Sequence, residues 1–168
     1  FHVKLLLFYI LFVPSLLILD VFLYNYDNSF IKTYTGYLLS LSKDLFSLFG
    51  QEVIISKNYI YWDKYWVGVG GRCLGFEVML FFVLLVSIIN SNWRNKLIYT
   101  IFGLVTIFLL NVVRISYLLF SVYKNKGEYT LVMDIHDLSN YYFYGIVFIL
   151  FVIYVYWFQD INLSKKKQ

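Results

Sequence analysis

Three short segments hold side chains that could carry chemistry. They are Arg72-Cys73-Leu74-Gly75-Phe76-Glu77, Asn111-Val112-Val113-Arg114-Ile115 and Asp134-Ile135-His136-Asp137. Cys73 is the sole cysteine, so it can form no disulfide within its chain. It is either a passive apolar thiol or a nucleophile, and its setting favours the second. It follows the flexible run Gly68-Val69-Gly70-Gly71 and adjoins Arg72, and nearby positive charge favours a thiolate. Glu77, four residues on, is expected on the same helical face. Arg114 lies inside the apolar stretch Leu109–Phe120. A charge at the centre of a membrane span costs on the order of 2.5–3.5 kcal/mol, so it needs a reason to be there. That reason is either chemistry or a structural ion pair, for which Glu77 is the obvious partner. Asn111, one turn earlier, shares its face. His136 could be a solvated loop histidine, but a cysteine and an embedded arginine on the same side of the membrane make it a candidate acid or base. Asp134 and Asp137 both lie within reach to orient it, and spacing does not choose between them.

These residues must be positioned by membrane elements. The chain has 168 residues, of which 61% are hydrophobic and 14% charged, with a mean hydropathy of +0.70. Soluble chains carry roughly 25% charged residues; so little charge could not cover a water-facing surface, and lipid must cover the remainder. The 17 Tyr and 4 Trp suit the two membrane interfaces. The expected fold is an all-α membrane protein, a single domain with about four transmembrane helices at 5–24, 74–89, 97–122 and 141–158. Pro14 could kink the first. That first run lacks a small-residue cleavage site, so it reads as an anchor rather than a signal peptide; with Phe1 in place of Met, a few residues are expected to precede it. Residues 30–49 place apolar side chains three and four apart, with Lys32, Ser40, Lys43 and Asp44 on another face. This predicts an amphipathic helix, either in the membrane interface or packed on the spans. Residues 52–67, rich in β-branched and aromatic types around Ser56-Lys57-Asn58, predict a short outer β-hairpin. Polar loops are expected at 90–96 and 123–140.

Charge sets the orientation. With both termini in the cytoplasm, that side holds Lys4, Arg94, Lys96, Lys165, Lys166 and Lys167 against Asp160, as the positive-inside rule favours. Cys73, the outer half of the third span and the loop bearing His136 then share the extracytoplasmic side. The net charge of +4 does not indicate nucleic acid, because the basic residues are scattered or terminal. No phosphate-loop pattern follows the glycines, and no His-Glu-x-x-His or sufficient ligand set suggests a metal. No cofactor is expected.

A Cys-x-Gly at the head of one span, Asn-x-x-Arg-Ile in the next and an isolated His before the last resemble the exosortase/archaeosortase family. The resemblance covers about Gly71 to Tyr144, and the smaller number of spans suggests a short form. It implies a membrane-embedded cysteine protease or transpeptidase of the prokaryotic cytoplasmic membrane, acting on the extracytoplasmic side. Its substrates would be exported proteins ending in a hydrophobic span and basic tail. Cys73 would form a thioacyl intermediate, His136 would move protons and Arg114 would stabilise the oxyanion. Asn111, Glu77 and Asp137 would support them. Water or an amine, on a lipid or glycan acceptor, would release the product. The amphipathic and hairpin segments are expected to roof the site.

The rival class is a non-enzymatic membrane assembly or export component, in which the Arg114–Glu77 pair is structural. A transporter would carry polar residues along several spans; here they cluster at the outer end.

Overall fold

A computed structural model of the chain describes residues 10, 14–15, 29–88, 92–127 and 129–165, with backbone alone at 72, 129–135, 154 and 157–165. The expected first span at 5–24 thus lies almost wholly outside the described residues. Among the described residues the order is α1 (Ser29–Leu48), β1 (Ile54–Ser56), β2 (Tyr59–Trp62), β3 (Tyr65–Gly68), a 3-10 turn (Gly71–Leu74), α2 (Phe76–Ile88), α3 (Trp93–Lys124) and α4 (Tyr129–Lys165). Two of these helices are long and apolar enough to cross a membrane: α3, and α4 over His136–Ile153. The segment expected to span at 74–89 is helical for 13 residues. At about 1.5 Å per residue its described part is some 20 Å long, and residues 89–91, which follow it, lie outside the described residues.

Helix α3 is the central pillar, with an apolar cluster on each flank. On one flank Val112, Ile115 and Leu119 pack with Ile31, Leu38, Leu39 and Phe46 of α1 and with Ile60 of the sheet. On the other, Ile107 packs with Val78, Phe82 and Val86 of α2 and with Phe143 and Val147 of α4. The remaining surface of α3 exposes Ile98, Phe102, Val105, Leu109, Val113, Tyr117 and Phe120. These recur at three and four spacing, the stripe that a helix presents to an apolar surrounding.

Helix α1 has three faces. Ile31, Thr35, Leu38, Leu39, Ser42 and Phe46 are buried. Phe30, Tyr37, Leu41 and Leu48 form a second, exposed apolar stripe. Lys32, Ser40, Lys43 and Asp44 occupy the third. The two expected placements are therefore compatible, because packing on α3 and an outward apolar stripe use different sides of one helix.

The expected hairpin is a three-stranded antiparallel meander, β1-β2-β3, with Ile55 opposite Ile60 and Ile60 opposite Val67. A second tight turn at Asp63-Lys64 was not anticipated. Lys57 and Asp63 each take a left-handed φ of 55°, as two-residue hairpin turns demand. The sheet is clamped to the C-terminal end of α3 by Trp62, stacked on Tyr123 at 4.0 Å between ring centroids.

Both expected polar loops are shorter than anticipated. Arg94 and Lys96 lie inside α3, and the Lys96 ammonium donates to the Ser87 carbonyl at 2.7 Å, capping α2. The loop expected at 123–140 is mostly helix. Gly127, at φ 75°, ends α3 by donating its N–H to the Val122 carbonyl, and α4 starts at Tyr129. Charged residues gave 129–140 a loop-like composition, but it contains no Gly or Pro to break a helix.

Gly103 of α3 faces the Phe82 ring so closely that a methyl group there would overlap it. Close approach over small residues is a usual way for apolar helices to pack. Gly103→Ala is expected to destabilise by about 1–3 kcal/mol, read as a lower Tm in detergent. Adding Phe82→Leu should recover part of the loss.

Candidate active site

Cys73 occupies the 3-10 turn before α2 and is half-buried. The expectation that it shares a helical face with Glu77 is not met, because Gly75 separates the turn from the helix. Gly75 has φ 78°, a conformation that costs other residues about 1–2 kcal/mol. Glu77 instead sits in the first turn of α2, where a carboxylate is favoured by the helix dipole.

Two side chains from distant elements hold the Cys73 turn. Asn111 of α3, fully buried, donates from Nδ2 to the Cys73 carbonyl at 3.0 Å. That bond fixes which end of the amide is nitrogen; the other end, Oδ1, has no partner among the described residues. Tyr34 of α1 donates its phenol to the Leu74 carbonyl at 3.2 Å. Burial pushes that phenol above its ordinary value, so it remains a neutral donor. Tyr34 also packs on Phe76, with 4.4 Å between ring centroids. Asn111 therefore acts on the turn that carries the thiol.

The three candidates converge. The Cys73 Sγ lies 3.9 Å from His136 Nε2, and Arg114 Nη2 lies 3.4 Å from the same nitrogen. Cys73 is also close enough to Arg114 to interact with its charge. Arg114 Nε donates to the Ser139 hydroxyl at 3.4 Å, and its guanidinium lies 5.7 Å from the centre of the Phe143 ring, within cation–π range. The Ser139 hydroxyl donates to the His136 carbonyl at 2.7 Å. One serine thus links arginine and histidine.

On the far side of the imidazole, Nδ1 lies 3.3 Å from Asp137 Oδ1 and 3.5 Å from the Asn140 amide nitrogen. An ionised carboxylate only accepts, so Asp137 favours a proton on Nδ1 and leaves the Nε2 lone pair facing Cys73 and Arg114. Asn140 agrees with that tautomer when its amide oxygen is turned toward Nδ1. Asp137 is 67% exposed, so its contact sets orientation more than it adds stability. The side chain of Asp134, the alternative partner, lies outside the described residues.

Ser139, Asn140 and Tyr34 were not anticipated. Ser139 and Asn140 stand three and four residues after His136, the spacing of neighbours on one helix face; reading the segment as a loop concealed this. Tyr34 lies 40 residues from its acceptor, and no local signal connects them. Of the elements expected to roof the site, α1 supports the Cys73 turn directly, while the sheet packs beside it on the end of α3. Among the described residues no cluster of His, Cys, Asp and Glu could hold a metal ion.

A methyl group on Gly75 would meet the Asn111 amide at 3.3 Å in a backbone conformation that resists it. Gly75→Ala is expected to lower the Tm in detergent and change the rate at which Cys73 is alkylated. Gly36→Ala, in open space on α1, should instead be neutral or stabilising by about 0.5–1 kcal/mol, with Cys73 labelling unchanged.

The family model described as transmembrane exosortase (Exosortase_EpsH) matches residues 2–153 of the chain. Neither a curated protein nor a solved structure matches it.

Proposed function

The chain belongs to the transmembrane exosortase family and is a membrane protein; on that premise we propose that it is a cysteine protease or transpeptidase that cleaves C-terminal sorting signals from exported proteins. One observation carries this reading: the Cys73 thiol and the Arg114 guanidinium both meet His136 Nε2, at 3.9 and 3.4 Å. They come from three elements that share no local sequence relation. An apolar fold gains little from gathering a thiol, an imidazole and a cation at one point unless they act together.

The steps follow from those contacts. His136 Nε2 accepts the thiol proton as Sγ attacks the scissile carbonyl carbon, giving a tetrahedral oxyanion. The Sγ–His136 contact is long for proton transfer, and such contacts shorten as substrate is engaged. Arg114 donates to the oxyanion; in a water-poor site that charge is worth more than it would be in solution. The intermediate collapses with cleavage of the C–N bond, and imidazolium returns its proton to the leaving amine. The thioester then passes its acyl group to water or to the amine of a lipid or glycan acceptor, with His136 again taking the proton. Ser139 holds Arg114, Asp137 orients the imidazole and Asn111 holds the Cys73 turn.

The placement proposed is the extracytoplasmic face of a prokaryotic cytoplasmic membrane, with both termini inside. The charge distribution supports it. So does the fold, in which the sheet, the end of α3 and the start of α4 gather at one end of the helices.

The direct test is made in the native host with Cys73→Ala, after confirming membrane insertion. Mass spectrometry is expected to find exported proteins that retain their C-terminal apolar span. If no such precursor accumulates, the enzyme reading fails and an assembly role replaces it. Arg114→Lys keeps a charge but loses the planar fork that reaches Ser139 and His136 together. It is expected to reduce processing by on the order of 10²–10³-fold, measured as the precursor-to-product ratio.

A further inference from the structure

A groove of about 160 Å³ runs between α3 and α4. Arg114, Ser139 and Phe143 line its interior, with Leu110, Val113 and Ile146 along its walls. Phe143 and Ser139 are buried, whereas Val113 and Ile146 are 54% and 41% exposed, so the groove opens on the outward apolar surface of the helices. Its head is shared with the candidate active site, through Arg114 and Ser139. From there it descends along α4 to Ile146, seven residues beyond Ser139, which is about 10 Å at 1.5 Å per residue.

We propose that this groove is the lateral subsite for the substrate, receiving the apolar residues that follow the scissile bond. The proposal rests on the cysteine-enzyme reading and adds the side of the helix bundle by which substrate enters and the residues that select it. Three features commit it to a peptide rather than a lipid tail. An occupant must arrive from the bilayer, because the exposed rim consists of Val113, Ile146 and the rings of Tyr117 and Tyr142, a largely apolar surface. It must also supply a hydrogen-bond acceptor at the head of the groove, where Arg114 has five N–H donors and the contacts to Ser139, His136 and Cys73 engage three of them. An acyl chain has no acceptor at that depth. A peptide being cleaved does: its scissile segment must leave the helix, and carbonyls released in hydrocarbon need a donor. Finally, the groove extends from His136 toward the C-terminal end of α4. With the exported part of the substrate outside and its span running inward, that is the direction taken by the residues after the scissile bond.

The probe is the precursor that accumulates in Cys73→Ala cells. A photo-cross-linking benzophenone amino acid placed at Val113 or Ile146 in the Cys73→Ala chain is expected to form an adduct with that precursor. The same group at Ile98, exposed on α3 away from the groove, should form none. With Cys73 present, Val113→Trp and Ile146→Trp fill the groove and are expected to slow processing by about tenfold or more. Alkylation of Cys73 by a small water-soluble thiol reagent should stay unchanged, as should processing by Ile98→Trp. Adducts with lipid alone, or equal precursor adducts at all three positions, would overturn the subsite. So would normal processing by both groove-filling variants. If Cys73→Ala accumulates no precursor, the cysteine-enzyme reading fails instead, which separates the two.

Discussion

The hydrogen bond from Asn111 to the Cys73 carbonyl is the constraint on which the site depends. It joins a fully buried amide on the central helix to a turn that is otherwise held by the Tyr34 phenol and a single 3-10 contact. A buried donor left without its acceptor costs about 1–3 kcal/mol, so turn and helix are each less stable without the other. Gly75 is part of the same arrangement, since its left-handed backbone brings the turn against Asn111. The thiol is therefore set by the packing of α3, although it lies in an irregular segment.

Arg114 needs compensation of a different kind. It sits in the same helix, within an apolar stretch, and among the described residues it meets the His136 imidazole, a serine hydroxyl, the Cys73 thiol and an aromatic ring. None of these contacts is a carboxylate. A guanidinium held this way keeps its charge available to a group that develops negative charge later, whereas a close ion pair would already have neutralised it.

The exposed surfaces explain how such a site can remain both apolar and accessible. Helix α3 buries side chains on two flanks and presents a third stripe outward. Helix α1 likewise divides into buried, exposed apolar and polar faces. A periodic pattern of apolar residues reports only that a face avoids water; it does not tell protein contact from lipid contact. This is why the two placements of α1 could not be separated from sequence, and why both interactions fit on one helix.

The sequence by itself determined the membrane character, the long apolar helix α3, the amphipathic α1 and the β-forming region, and it singled out Cys73, Arg114 and His136 as candidates. Each is legible because it depends on local composition, on a period, or on a residue type placed where its cost demands an explanation. Tertiary structure alone decided which groups touch. It placed Asp137 beside His136, gave Asn111 the Cys73 carbonyl, brought in Tyr34 from 40 residues away and made Ser139 a link between Arg114 and His136. It also turned the expected loop around His136 into the first turns of α4. Polar side chains there mimic a loop, but with no helix breaker after Gly127 the backbone stays helical, and one face of that helix collects His136, Ser139, Asn140 and Phe143. Contacts of this kind depend on distances between elements, which no local pattern of residues encodes.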